Sequence, residues 1–204
     1  RAPGSFDETV QGLRHLFRHR RPGQGVELRI ILHRRPTEWL PRTLDFLLRE
    51  WPDASAYRLT LIYFEVEGQA EKNFKNISVS LTDCSAMVDS CFETLRRFED
   101  LRLYHFPLCV LPERLWAFAW RTLPRYEIRH VEACRSCAVN DLCMGPHDWY
   151  PRLIGEAEFR PVRERKRMEL SGDYFHPILK VGEGHVDWTP APIEDEVKDE
   201  TVKW

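Results

Sequence analysis

Strands and helices alternate through the first 106 residues, and this alternation restricts the fold more than any other feature of the chain. Val26, Leu28, Ile30 and Leu32 alternate with Glu27, Arg29 and Ile31, the period-2 pattern of a strand over 26–33 with one strongly apolar face. Leu59 to Phe64 is a second, almost wholly apolar strand. Ile77-Ser78-Val79-Ser80-Leu81 alternates as a third, and Leu101 to Phe106 reads as a fourth. Ahead of them, Ser5 and Glu8 make a capping box for a helix over 6–20 that carries Phe6, Val10, Leu13 and Phe17. Pro41 opens a second helix bearing Leu44, Leu47, Leu48 and Trp51, and Asp83 caps a third bearing Met87, Cys91 and Leu95. Strands separated by such helices favour crossover units on a mainly parallel α/β sheet. A closed eight-stranded barrel needs about 250 residues, and only four strands fit before residue 107. The segment is therefore half of such a barrel or a small open α/β sheet.

Charge narrows the partners. With 30 basic against 32 acidic side chains and a net charge of -2, no general attraction to nucleic acid or anionic membrane is expected. No apolar run approaches the roughly 20 residues of a membrane helix, and residues 1–20 hold no signal-peptide hydrophobic stretch. A cytoplasmic address is expected. The chain starts at Arg1 and the helical pattern begins within a few residues of it, so a piece of something longer is expected.

After residue 106 the texture changes, which divides the chain into a strand-and-helix part over 1–106, a cysteine- and tryptophan-bearing part over 107–160, and an extended, partly disordered tail over 161–204. The basic run Arg163, Arg165, Lys166 and Arg167 and the acidic stretch from Thr189 read as a solvated face and a mobile tail. In the middle part, Cys134-x2-Cys137-x5-Cys143, with Cys109 upstream across 24 intervening residues, offers four thiolates. Four soft ligands are what one 4Fe–4S cluster or one tetrahedral zinc requires. Zinc ribbons present two separate C-x2-C knuckles, whereas this set has one knuckle and two single cysteines, which favours iron–sulfur over zinc and over unligated thiols. Cys84 and Cys91, seven apart on one predicted helix, read as buried structural thiols.

The succession Gly4-Ser5-Phe6-Asp7, Val26-Glu27-Leu28-Arg29, Glu65-Val66-Glu67-Gly68-Gln69-Ala70 with Asn73, Leu108-Cys109-Val110-Leu111-Pro112, Trp116, and Cys134-Arg135-Ser136-Cys137-Ala138-Val139 through Cys143 resembles the C-terminal part of radical S-adenosylmethionine (radical SAM) enzymes with a SPASM/twitch-type auxiliary-cluster extension. Among these the likeness is to the His-Xaa-Ser-system peptide maturases. It implies that residues 1–106 are the C-terminal half of a (β/α) radical SAM barrel. It also implies that Cys109, Cys134, Cys137 and Cys143 hold an auxiliary 4Fe–4S cluster in a small iron–sulfur extension. The C-x3-C-x2-C motif that binds the SAM-cleaving cluster in these enzymes does not occur in this sequence. The resemblance therefore implies that a missing N-terminal segment or partner chain supplies that half of the barrel, and that a peptide or protein is the substrate.

Alternation on the strand 26–32 sends the apolar residues toward covering helices and turns Glu27 and Arg29 the other way, into the lumen of a barrel. Glu65 and Glu67 fall at the C-terminal end of the second strand, where such barrels gather active groups. The resemblance implies that this wall faces S-adenosylmethionine and substrate, with Arg29 pairing a carboxylate and Glu65 holding an amine or hydroxyl. An internal Arg29–Glu65 ion pair is the structural alternative. His33, His105 and His147 receive no role. Two other readings of the whole chain stay open: a non-catalytic zinc-binding protein-interaction module, and a degenerate radical SAM relative serving as a structural subunit.

Overall fold

Three of the strands form where the apolar patterning puts them. The computed structural model describes residues 3–182. In it β1 (Glu27–Leu32), β2 (Arg58–Tyr63) and β3 (Asp100–Tyr104) run parallel, with a two-residue β4 (Ala119–Trp120) paired beyond β3. The spatial order β1-β2-β3-β4 follows the chain, each strand laid beside the one before it. The connections carry α2 (Arg34–Glu50) after β1, and α3 (Gln69–Ile77), α4 (Leu81–Ser90) and α5 (Phe92–Leu95) after β2, with α1 (Ser5–His19) ahead of the sheet. Helix α2 touches α3, α4 and α5, which places the four in one layer. The fold is thus mixed α/β on a four-stranded parallel sheet.

One face of the sheet makes the core. Leu32, Leu59, Leu61 and Leu103 have no accessible surface, and Leu40 and Leu44 of α2 are equally buried against them. Complete burial of each such side chain is worth about 1.5–3 kcal/mol. On the opposite face the strand register stacks three rows. Glu27 lies beside Arg58 and Asp100, Arg29 beside Thr60 and Arg102, and Ile31 beside Ile62 and Tyr104. The charged rows satisfy one another. Arg29 meets Glu27 at 3.1 Å, Arg58 and Arg102 each meet Asp100 at 2.8 Å, and the Thr60 hydroxyl donates to Glu27 at 2.7 Å. At the β1 end this face is open to water: Ile31 is 56% exposed and the Arg29 side chain 59%.

Several expected elements are corrected. Residues 77–81 are not a strand. Helix α3 runs to Ile77, and Ser80 then caps α4, its hydroxyl accepting from the Asp83 amide at 2.9 Å. Val79 is held between them by the Tyr63 hydroxyl, which donates to its carbonyl at 2.5 Å. A five-residue alternation is thus a connector between two helices, and Asp83 belongs to the first turn of α4, not to its cap. The helix expected to carry Met87, Cys91 and Leu95 breaks at Cys91 into α4 and α5. The Ser5–Glu8 box is not formed. Gly4 is the N-cap at φ 83, with no side-chain cap, and its carbonyl accepts from the Glu8 amide at 3.1 Å. Helix α2 starts at Arg34, seven residues before Pro41, which lies inside it. An interior proline costs about 3 kcal/mol, and the buried stripe Leu40, Leu44, Leu47 and Leu48 offsets it.

After β3 the chain leaves regular structure for short 3-10 turns and one brief helix, α6 (Trp149–Leu153). Trp116 ties two of these turns, its indole N–H reaching the carbonyls of Leu108 at 2.9 Å and Leu111 at 3.1 Å. Of the segment expected to be an extended tail, residues 161–182 are described, and they include regular structure. Met168 and Ile178, both buried, bring β5 (Met168–Leu170) and β6 (Ile178–Val181) together as an antiparallel hairpin against the 113–118 turn. The hairpin loop meets the outer edge of β4, where the Arg121 amide donates to Phe175 at 2.8 Å and Trp120 stacks on His176 at 4.3 Å. Of the basic run, Arg165 pairs with Asp141 at 3.1 Å and Lys166 with Glu113 at 3.8 Å on the surface, as a solvated face would. The acidic stretch from Thr189 lies outside the described residues. Among those described, no helix is long and apolar enough to cross a membrane.

Candidate functional site

Four cysteines from two distant segments line one pocket beyond the end of β3. Cys109 sits in the turn Leu108–Val110, while Cys134, Cys137 and Cys143 come from a compact loop, and Pro107, Phe159 and Pro161 complete the walls. The loop is held by its own backbone. The Cys137 amide donates to Cys134 at 3.2 Å, the Cys143 amide to Val139 at 3.0 Å and the Ala138 amide to Val162 at 2.8 Å. Val139 and Leu142, both buried, anchor it to the core. The Cys143 sulfur accepts two backbone N–H groups, from Leu108 at 3.2 Å and Gly145 at 3.3 Å, the environment that favours a thiolate. Gly145 reaches that position only as glycine: its φ is 83, and a Cβ there would stand 2.9 Å from Ile128 Cγ2.

The thiols affect one another. Burial first, and the neighbouring Cys143, Cys134 and Cys137 second, push the Cys109 thiol up to about 12. Burial pushes Cys143 up to about 11 against the pull of its two amide donors. Such thiols ionise at neutral pH only when a metal takes the proton's place. Among the described residues no three His, Cys, Asp or Glu side chains are arranged to hold a single metal ion. Four thiolates about 2.3 Å from one zinc would have to crowd together, whereas a 4Fe–4S cube takes one thiolate at each of four separate irons. The donor set suits the cube by type and number. The cavity between the four cysteines is only about 20 Å³, so the side chains must draw back to admit a cluster. The six cysteines are all free thiols, and Cys84 and Cys91 are buried away from the pocket's walls, as expected of structural residues.

The structure separates Arg29 from Glu65. Arg29 lies on the open sheet face and pairs with Glu27, and the expected alternative of an Arg29–Glu65 ion pair is not formed. Its register explains this, because Glu27 is two residues back on the same strand and the same face. Glu65, just beyond β2, pairs instead with His105, just beyond β3, at 3.2 Å.

His105 and His147, which sequence reading left without a role, thus belong to a cluster with Glu65. His105 is buried and has the one positive φ, 68, of any non-glycine among the described residues, a strained backbone of the kind that gathers at functional sites. Its Nδ1 also lies 3.2 Å from the Tyr63 carbonyl, and burial pushes its pKa down to about 4, so the ring is neutral at physiological pH. The His147 ring is centred 6.3 Å away, with Nδ1 3.1 Å from Asp148 and Nε2 3.8 Å from Glu127. Burial pushes the Glu65 carboxyl above its ordinary range, with His147 pulling it down and Glu67 and Glu127 pushing it further up. The position rule that singled out Glu65, the C-terminal end of a parallel strand, applies equally to His105 directly after Tyr104. No protein-family model matches the chain, and no curated protein or solved structure matches it either.

Proposed function

We propose that the chain is the C-terminal portion of a radical SAM peptide-modifying enzyme, with an auxiliary 4Fe–4S cluster on Cys109, Cys134, Cys137 and Cys143. The observation that carries this reading is the meeting of Cys109 with the 134–143 loop on one pocket, although 24 residues separate them in sequence. The sequential parallel sheet supports it, because strands added in chain order with the helices α2 to α5 in one layer are what half of a barrel supplies. The partner, the N-terminal half from the same gene or from another chain, would cover the face that carries Arg29 and Ile31. Arg29 and Glu65 are then the groups offered to S-adenosylmethionine and substrate. When bound, the auxiliary cluster would supply electron transfer or an anchoring site for a peptide.

Anaerobic purification followed by iron, sulfide and zinc analysis tests the proposal. About four irons and four sulfides per chain, with a broad visible absorption, are expected. A colourless chain holding one zinc would replace this reading with a zinc-dependent interaction module.

A further inference from the structure

Helix α1 sets two imidazoles side by side on its outer surface. His15 and His19 are four residues apart on the helix, the spacing that puts two side chains one above the other on one face. Their ring centroids stand 4.3 Å apart, with the planes 41° from parallel. Both residues are exposed, and no hydrogen bond or ion pair within the described residues holds either ring. A neutral imidazole so placed keeps one nitrogen lone pair for a ligand. The local charges divide. Arg14 is answered by Glu50 at 2.5 Å. Arg18 and the C-cap Arg20 repel a cation, while the C-terminal end of the helix, of which His19 is the last residue, attracts one. An ion held by charge alone gains little from such a balance, whereas one that bonds directly to nitrogen depends on it far less.

We infer that His15 and His19 form a two-imidazole site for a divalent transition-metal ion, tightest for Cu²⁺ and weaker for Ni²⁺ and Zn²⁺. The helix fixes the two Cβ atoms about 5–6 Å apart, so rotation of the side chains alone aims both rings at one ion, with metal–nitrogen bonds of about 2.0–2.1 Å. Among the described residues no third His, Cys, Asp or Glu completes a set around one ion. The bound ion therefore keeps the rest of its coordination sphere for water or for a ligand from outside the chain. Mg²⁺ and Ca²⁺, which take oxygen ligands, are not bound here. The site shares no residue with the cysteine pocket and is independent of the iron–sulfur reading.

The test is a titration of the full chain, labelled with ¹⁵N, with Ni²⁺ capped by iminodiacetate. The cap leaves coordination positions open for imidazole while keeping the ion from being stripped into the cysteine pocket, and the paramagnetic ion shifts or broadens amide signals only near its site. Saturable change confined to the last turns of α1 is expected, with none from MgCl₂ at the same ionic strength. His15→Gln and His19→Gln are each expected to weaken binding about 10-fold or more, the loss of one of two metal–nitrogen bonds. Both positions are exposed and glutamine is a good helix former, so the variants fold, as circular dichroism verifies. No change at roughly 1 mM probe, a concentration that reveals even millimolar binding, overturns the proposal. So does a change centred on another histidine or on the cysteine loop. Binding by both single variants within about 2-fold of the parent chain overturns it too, because one imidazole would then suffice.

Discussion

His105 Nδ1 and Glu65 Oε1 stand 3.2 Å apart, joining the ends of two neighbouring parallel strands through the two side chains that leave them. Burial dominates both groups, pushing the imidazole down to about 4 and the carboxyl upward, so each favours its neutral form.

The chain is therefore expected to lose stability on mild acidification. In the unfolded chain His105 takes up a proton near pH 6.5, and in the folded chain only near 4, so stability falls as pH drops through this window and levels off below it. The contribution between pH 7 and 5 is about 2 kcal/mol. Glu65, raised in the folded state, acts in the opposite sense: its contribution is lost as pH rises through its folded pKa. Urea unfolding at the two pH values should show the loss in the Glu65→Gln background and a flatter profile in Glu65→Gln/His105→Gln. An equal slope in both would show that His105 is not the group responsible.

Removing Cys109 should matter as much as removing Cys143. If the proposed cluster is present, each single alanine variant is expected to lower iron from about four per chain to well under one, while Cys91→Ala leaves it unchanged. Elemental analysis after anaerobic purification decides this, and retention of a full cluster in Cys109→Ala would remove that residue from the site.

Gly145→Ala should be destabilising by about 1–3 kcal/mol, because alanine resists the positive φ and its methyl meets Ile128. Thermal unfolding measures the cost. The same change moves an amide away from Cys143, so the variant is also expected to bind iron less tightly under competition with a chelator.

Tyr150→Phe should cost about 1–3 kcal/mol. The phenol accepts from the buried Leu81 amide at 2.9 Å and donates to Glu158, which itself accepts from the amide and hydroxyl of Thr82 at 2.7 Å. The helix N-terminus of α4 is thereby tied to the cysteine-bearing segment. Denaturant unfolding of the variant, with the Leu81 amide followed by hydrogen exchange, checks both the magnitude and the place.

The two faces of β1 should respond in opposite ways. Leu32→Ala, at a position with no accessible surface, is expected to cost about 2–5 kcal/mol. Ile31→Glu, one residue earlier and on the open face, should change stability by no more than about 0.5 kcal/mol. A large loss at Ile31 would mean that this face is packed within the chain itself.

Strands with an uninterrupted burial pattern were legible in the sequence, because Leu28, Leu32, Leu59, Leu61 and Leu103 report the core directly. Ile77 to Leu81 misled because five residues of alternation carry no information about whether a partner strand stands beside them, and here capping by Ser80 and the bond from Tyr63 to Val79 fix a connector. The β5–β6 hairpin was hidden for the converse reason: each of its strands buries a single residue, Met168 or Ile178, amid basic and polar residues that read as a solvated tail. At the site, cysteine spacing predicted a common pocket for four thiols. The pairing of Glu65 with His105 and the approach of the His147 ring to His105 join segments 40 or more residues apart, which no local pattern encodes.

The rows of the open sheet face have a consequence for assembly. Glu27 and Asp100 answer Arg29, Arg58 and Arg102 within the face itself, so these rows carry a single net positive charge and are already hydrogen-bonded. The face can wait in water without drawing in a wrong neighbour by charge. A second surface that closed over it, as the proposed half-barrel partner would, has to be selected by shape, beginning at the apolar row of Ile31, Ile62 and Tyr104 where the strands end.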